Sequence, residues 1–203
     1  MTVEAGAIVT IRHYSMINVF KSTVISREGI KVEIKLPKEC QKAEFLKGDP
    51  LAVAYEDDES GTITGARISE YRRSDEVLVY FEDTPEEEMK MRSYERFPVS
   101  LYADYRIIEE LGRKKCFALV KDISEYGVLI YSRESHFKGL RLAMDIYLTR
   151  DILSLTAEIV RKVDHEGYFE YGLKIKHTGP IAFNHIKNYV KKSQNELLPQ
   201  LTK

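Results

Sequence analysis

Two short segments carry the side chains best suited to chemistry: Arg92 and Arg96, which frame RSYER, and Asp122, Ser124 and Gly127 in DISEYG. A guanidinium group is permanently charged, forked and weakly hydrated, so it donates to phosphodiester oxygens and also stacks on a purine face, and lysine would lose the stacking. A spacing of four puts both arginines on one side of a helical turn, and leaves them within reach of one ligand in an irregular segment. In DISEYG a carboxylate and a hydroxyl two apart on an extended segment share a face. On such a face a carboxylate can accept from a pair of adjacent N–H donors such as a guanine amide and amine edge, with a hydroxyl to donate or accept beside it. Gly127, without a Cβ, permits a turn or a close ligand. Each segment also has a plain structural explanation. Two arginines four apart in a charge-rich chain are ordinarily solvated, and Asp, Ser and Gly are ordinary hairpin formers.

The elements that must position these groups are strands. From Ala7 to Phe81 the segments AIVTIRHY, FKSTVISRE, IKVEIKLP, LAVAYEDD, GTITGARISEY and EVLVYF alternate apolar and polar residues with period two, rich in Val, Ile, Thr and Tyr. Turn residues at Glu28-Gly29, Gly48-Asp49-Pro50 and the acidic stretch from Glu56 to Gly61 separate them as in an antiparallel meander. Closure into a small barrel satisfies the edges of such short strands. The alternation breaks in EDTPEEEMK, residues 82 to 90, which marks a domain boundary. A second set of strands is expected at 97–105, 115–123, 127–131, 141–148, 153–164 and 168–176. After Gly179 and Pro180, IAFNHIKNYVKKSQ places Ile181, Ile186, Tyr189 and Val190 at helical spacing, with lysines toward the C-terminal end, so a helix is expected to cap the second barrel. The expected fold class is mainly β: two small antiparallel β-barrels in tandem, the second with a C-terminal α-helix.

Composition narrows the function. In 203 residues, 31 Lys and Arg balance 32 Asp and Glu for a net charge of -1, so no global field attracts a polyanion and any phosphate must be held by local cations. Cys40 and Cys116 stand apart in apolar surroundings and are expected to be buried thiols. His13, His136, His165, His177 and His185 have no metal-ligand spacing, and neither G-x-S-x-G nor a P-loop occurs, which argues against an enzyme and against a bound metal. No apolar run approaches the ~20 residues of a membrane span, and the start lacks a signal pattern, so a cytoplasmic protein without membrane insertion is expected.

In their order and context the two motifs resemble those of the PilZ family, an Arg-x-x-x-Arg entering a β-barrel and a downstream [Asp/Asn]-x-Ser-x-x-Gly on a barrel strand. EYGLKIKHTG and the helix after it are similar to that family's closing strand and C-terminal helix, so roughly Met91 to Lys192 is covered. The N-terminal half is similar in layout to the companion domain of YcgR-type flagellar brake proteins, with GDPLAVAYEDDESGTITGARI resembling its Gly-Asp turn and paired strands. The resemblance implies an N-terminal domain at 1–83, a linker carrying the arginines at 84–96 and a PilZ domain at 97–203. It implies a receptor for cyclic di-GMP as regulatory ligand, with no prosthetic group. Arg92 and Arg96 would hold phosphates and stack on guanine, Asp122 and Ser124 would read a guanine edge, and Gly127 would admit the ring. Met91 stands where many relatives carry a further arginine, a position implied to influence whether one or two ligand molecules bind. Ligand is then expected to change the interdomain arrangement and signal to a protein target such as a flagellar motor component. A protein-interaction module that no longer binds ligand, and a barrel that binds single-stranded nucleic acid, are compatible with the same strand pattern. No basic stripe accompanies Tyr102, Tyr147 and Tyr171, as a nucleic-acid polymer would require.

Overall fold

The computed structural model describes residues 3–42, 45–56, 61–73, 75–82, 94–109, 114–149, 151–176 and 180–198. Six strands, β1 (Ile8–Arg12), β2 (Phe20–Glu28), β3 (Lys31–Lys35), β4 (Pro50–Glu56), β5 (Gly61–Arg73) and β6 (Glu76–Phe81), close into an antiparallel barrel in the order β1-β2-β3-β6-β5-β4. Six more, β7 (Phe97–Ile107), β8 (Cys116–Ile123), β9 (Gly127–Ser132), β10 (Arg141–Tyr147), β11 (Ile152–His165) and β12 (Tyr168–Ile175), form a second closed barrel, and helix α1 spans Pro180–Leu197. Read around the ring from β7, the second barrel runs β7-β8-β9-β12-β11-β10, the same circuit as the first. Closure pairs Val9 of β1 with Tyr55 of β4 in one barrel and Met144 of β10 with Tyr105 of β7 in the other. The chain divides into two compact units: Met1–Met91 with Pro98–Ser100 and Lys191–Lys203, and Arg92–Phe97 with Leu101–Val190.

Period-two alternation builds each interior. Val9, Ile11, Val32, Ile34, Val53, Tyr55, Val79 and Phe81 are buried in the first barrel, and Tyr105, Val120, Ile130, Leu142, Met144, Ile146, Ile159 and Tyr171 in the second. Strand β4 departs from the alternation, because all of its residues from Pro50 to Tyr55 are buried. At the β2–β3 hairpin Glu28 pairs with Lys31, and Gly29 takes the left-handed conformation (φ 60°) that such a two-residue connection requires. Gly48 does the same (φ 92°) ahead of Asp49. A 3-10 helix at Lys38–Lys42, between β3 and β4, interrupts the meander, and its Cys40 is buried. Both cysteines are buried thiols outside any disulfide, and burial, helped by Glu39, pushes the Cys40 thiol up to about 11. In α1, Ile186, Tyr189, Ser193 and Leu197 form the buried stripe; of the other residues expected on it, Val190 is half-buried and the side chain of Ile181 lies outside the described residues. Near its end, Glu196 forms an ion pair with the buried guanidinium of Arg12. No helix among the described residues is long and apolar enough to cross a membrane.

His13, just past β1, is fully buried beside Asp49, just before β4. The Ser15 amide donates to His13 Nδ1 at 3.3 Å, so the neutral ring carries its proton on Nε2 and donates it to Asp49 Oδ2 at 3.1 Å. Tyr14 Oη and the Leu46 amide also donate to that oxygen, at 3.1 and 2.8 Å. Burial outweighs the pull of the Asp49 carboxylate and holds His13 below its usual value of 6.5. The unfolded chain therefore binds a proton at a pH where the folded chain does not. The stability linked to His13 is complete above about pH 6.5 and is lost as pH falls below it. The urea unfolding midpoint of the wild type is expected to fall more steeply between pH 7.5 and 5.5 than that of a His13→Gln variant. Equal slopes would show that His13 does not titrate with unfolding.

Candidate functional site

Of the expected ligand residues, Arg96, Asp122, Ser124 and Gly127 are described, and Met91 and Arg92 lie outside the described residues. Arg96 immediately precedes β7, and the segment Tyr94 to Arg96 is a bend and irregular chain, not a helical turn. Asp122 is the penultimate residue of β8. Although the two residues are 26 positions apart in sequence, Arg96 Nη1 comes within 3.8 Å of Asp122 Oδ2, with the guanidinium 42% exposed and the carboxylate 17%. A forked cation with an accessible face thus lies beside a carboxylate set into the barrel surface.

A bulge aims that carboxylate. Cys116, Ala118 and Val120 point inward on β8, and strict alternation would send Asp122 inward after them. The register against β9 shifts between Val120 and Asp122, so Val120 faces Ile130 while Asp122 faces Leu129. One inserted residue reverses the parity. Lys121 and Asp122 are both partly exposed, and Ile123 becomes the next fully buried residue. Lys121 is engaged elsewhere, 3.6 Å from Glu170 Oε2 and over the Tyr131 ring.

Ser124 is not on the same extended segment as Asp122, because β8 ends at Ile123 and Ser124 opens the turn into β9. Its amide donates to the Gly127 carbonyl at 2.8 Å and its hydroxyl donates to the same oxygen at 3.2 Å. The oxygen of that hydroxyl keeps acceptor capacity. Gly127 has an internal cause as well: a Cβ there would lie 3.1 Å from the Leu173 carbonyl and 3.5 Å from Ser124 Oγ. The turn is pinned to β12 by the Ile175 amide, which donates to the Tyr126 carbonyl at 2.9 Å.

The geometry adds two residues that charge and turn chemistry did not single out. Tyr94, inside RSYER, and Tyr126, inside DISEYG, bring their rings to 4.2 Å between centroids, and Phe183 of α1 meets Tyr126 edge-on at 6.4 Å. The available signal was one tyrosine within each motif. Elsewhere on the second barrel, Tyr102, Phe117 and Tyr147 make an outward aromatic group beside Asp104, which accepts from Tyr147 Oη at 2.6 Å and Lys115 Nζ at 3.2 Å. That carboxylate, foremost by its hydrogen bond, pushes the Tyr147 phenol up to about 12. A carboxylate at its centre makes this group a poor platform for a polyanion. Among the described residues no cluster of three His, Cys, Asp or Glu side chains could hold a metal ion.

Comparison with solved structures returns the Bacillus subtilis inhibitor of motility MotI/DgrA (17% identity, covering 96% of this chain and 99% of that chain, TM-score 0.45). It also returns YcgR from Escherichia coli in complex with c-di-GMP (9% identity, 94% and 85%, TM-score 0.45) and the K. pneumonia MrkH–c-di-GMP complex (10% identity, 94% and 88%, TM-score 0.46). No curated protein matches the sequence. The family model described as the PilZ domain matches residues 90–192, just over half of the chain, and takes in both motifs, the second barrel and the first part of α1. The chain belongs to the PilZ family.

Proposed function

We propose that this protein is a receptor for cyclic di-GMP that passes the signal to a protein partner. The observation that carries the proposal is the approach of Arg96 to Asp122 across 26 positions, on a domain matched by the PilZ model. A phosphodiester needs forked cations, supplied by Arg96 and, from the same motif, Arg92. A guanine edge presents adjacent N–H donors that a carboxylate accepts, which suits Asp122, while the Ser124 oxygen, its proton given to the Gly127 carbonyl, accepts beside it. Gly127 keeps the turn tight enough for both to face one ligand. Met91 stands in place of a further arginine, a position that would influence whether one or two ligand molecules bind per chain. Residues 1–83 would act as the companion domain and 84–96 as the linker that carries the arginine motif to the ligand. The resulting change of domain arrangement would alter the surface offered to a cytoplasmic partner, with a flagellar motor component as the first candidate. Ligand produces such a change only if it binds one arrangement better than the other.

Calorimetric titration with cyclic di-GMP tests the proposal. The wild type should bind at micromolar concentration or tighter, and Asp122→Ala should weaken binding about tenfold, the loss of one charge-assisted contact. Small-angle scattering of the same samples should differ with and without saturating ligand. A folded wild type that gives no heat and no thermal shift would overturn the receptor function, and identical scattering curves would overturn the domain rearrangement.

A further inference from the structure

Two large aromatic side chains at this site remain partly exposed where a core would have hidden them. Tyr94 is 46% exposed and Tyr126 39% exposed, although their centroids are only 4.2 Å apart and their planes 40° from parallel. Each lies within a motif, Tyr94 two residues before Arg96 and Tyr126 four residues after Asp122. The two segments therefore meet twice, once through the ion pair and once through the rings. Tyr126 is also held in place. Its carbonyl accepts from the Ile175 amide, the turn around it is closed by the Ser124 and Gly127 hydrogen bonds, and Phe183 packs edge-on against its ring. A ring fixed in this way loses little freedom when a ligand covers its remaining face.

We propose that Tyr94 and Tyr126 form a stacking platform for one guanine base of the ligand, Tyr126 as the part held by the turn before β9 and Tyr94 as the part carried by the segment that leads into Arg96. This rests on the receptor function proposed above. At 4.2 Å the rings leave no gap for a base between them, so the base lies on the outward face of the pair. There its edge is directed toward Asp122 and its phosphates toward Arg96. Stacking on an aromatic face is indifferent to base identity, so the platform supplies affinity while Asp122 supplies the choice of guanine.

The test is titration of Tyr94→Leu, Tyr126→Leu and Tyr126→Phe with cyclic di-GMP beside the wild type and Asp122→Ala, with thermal melts of each ligand-free protein. Leucine keeps apolar bulk without the π face, and each leucine variant should bind about tenfold more weakly. Tyr126→Phe should stay within about twofold of the wild type, because a ring and not a hydroxyl makes the contact. Ligand-free melting temperatures should fall by no more than a few degrees, since each ring is only partly buried, and each titration is run well below its variant's own melting temperature. Folded leucine variants that bind like the wild type while Asp122→Ala binds weakly would overturn the platform and leave the receptor standing. A phenylalanine variant as weak as leucine would also overturn stacking. A wild type that does not bind would remove the receptor function and the platform together.

Discussion

Replacing Arg96 with alanine is expected to weaken cyclic di-GMP binding about a hundredfold, and replacing it with lysine about thirtyfold, although lysine keeps the charge. Hydrogen bonds to charged groups contribute about 1.5–3 kcal/mol each, and about 2.7 kcal/mol corresponds to a hundredfold change in affinity. The guanidinium brings parallel donors and a flat face that stacks on purine, and a lysine ammonium offers neither. Stability should respond far less. The guanidinium is 42% exposed and 3.8 Å from Asp122, so the ion pair is largely solvent-screened and removing it should cost less than about 1 kcal/mol. The two effects separate in one set of samples, with titration for affinity and urea unfolding for stability. An alanine variant that bound like the wild type would remove Arg96 from the site. A lysine variant that did so would show that charge alone is read, which would return the general polyanion chemistry that the near-zero net charge disfavours.

The strands were legible because half-buried sheet imposes period two on the sequence. The segment expected at 153–164 is β11 (Ile152–His165), and the one expected at 168–176 is β12 (Tyr168–Ile175). The 3-10 helix at Lys38–Lys42 was not legible, since five residues make no period. The bulge in β8 escaped for a related reason. Residues 116 to 123 alternate acceptably in either parity near Lys121 and Asp122, and only pairing with β9 decides which of the two shifts. The position of Asp122 as a polar residue after an apolar strand was thus readable, while the device that turns it outward was not. The pairing of Tyr94 with Tyr126 was equally hidden, because it depends on tertiary approach of two segments about thirty residues apart. His13 looked like one of five scattered histidines in sequence, and its burial against Asp49 appears only once β1 and β4 are paired.

The largest stability loss is expected at Tyr171. Its side chain is fully buried in β12, where Tyr171 pairs with Ile130 of β9, and its hydroxyl accepts from the His136 amide at 2.7 Å and donates to the Glu134 carbonyl at 2.9 Å. Tyr105 Oη makes a second tie to the same segment, 2.8 Å from His136 Nε2 and 2.8 Å from Ser132 Oγ. The chain after β9 is therefore fastened to the barrel wall by two phenols. Burial is the main cause that raises both phenols above the usual tyrosine value, so they remain neutral donors at any ordinary pH. Tyr171→Ala removes the ring as well as the hydroxyl and is expected to cost about 4 kcal/mol, in the range for aromatic truncation in a core. Tyr171→Phe keeps the ring and should cost about 1.5 kcal/mol, the penalty of leaving partly buried backbone groups without their partner. Urea unfolding measures both losses, and amide hydrogen exchange should quicken at His136 in the phenylalanine variant while the strand amides stay protected. Ligand affinity of that variant should be unchanged, because the Ile175 amide and the Ser124 turn hold Tyr126 and Gly127 without help from the phenol. Equal losses for phenylalanine and alanine would instead place the whole contribution in the two hydrogen bonds. A phenylalanine variant as stable as the wild type would place it all in the packed ring.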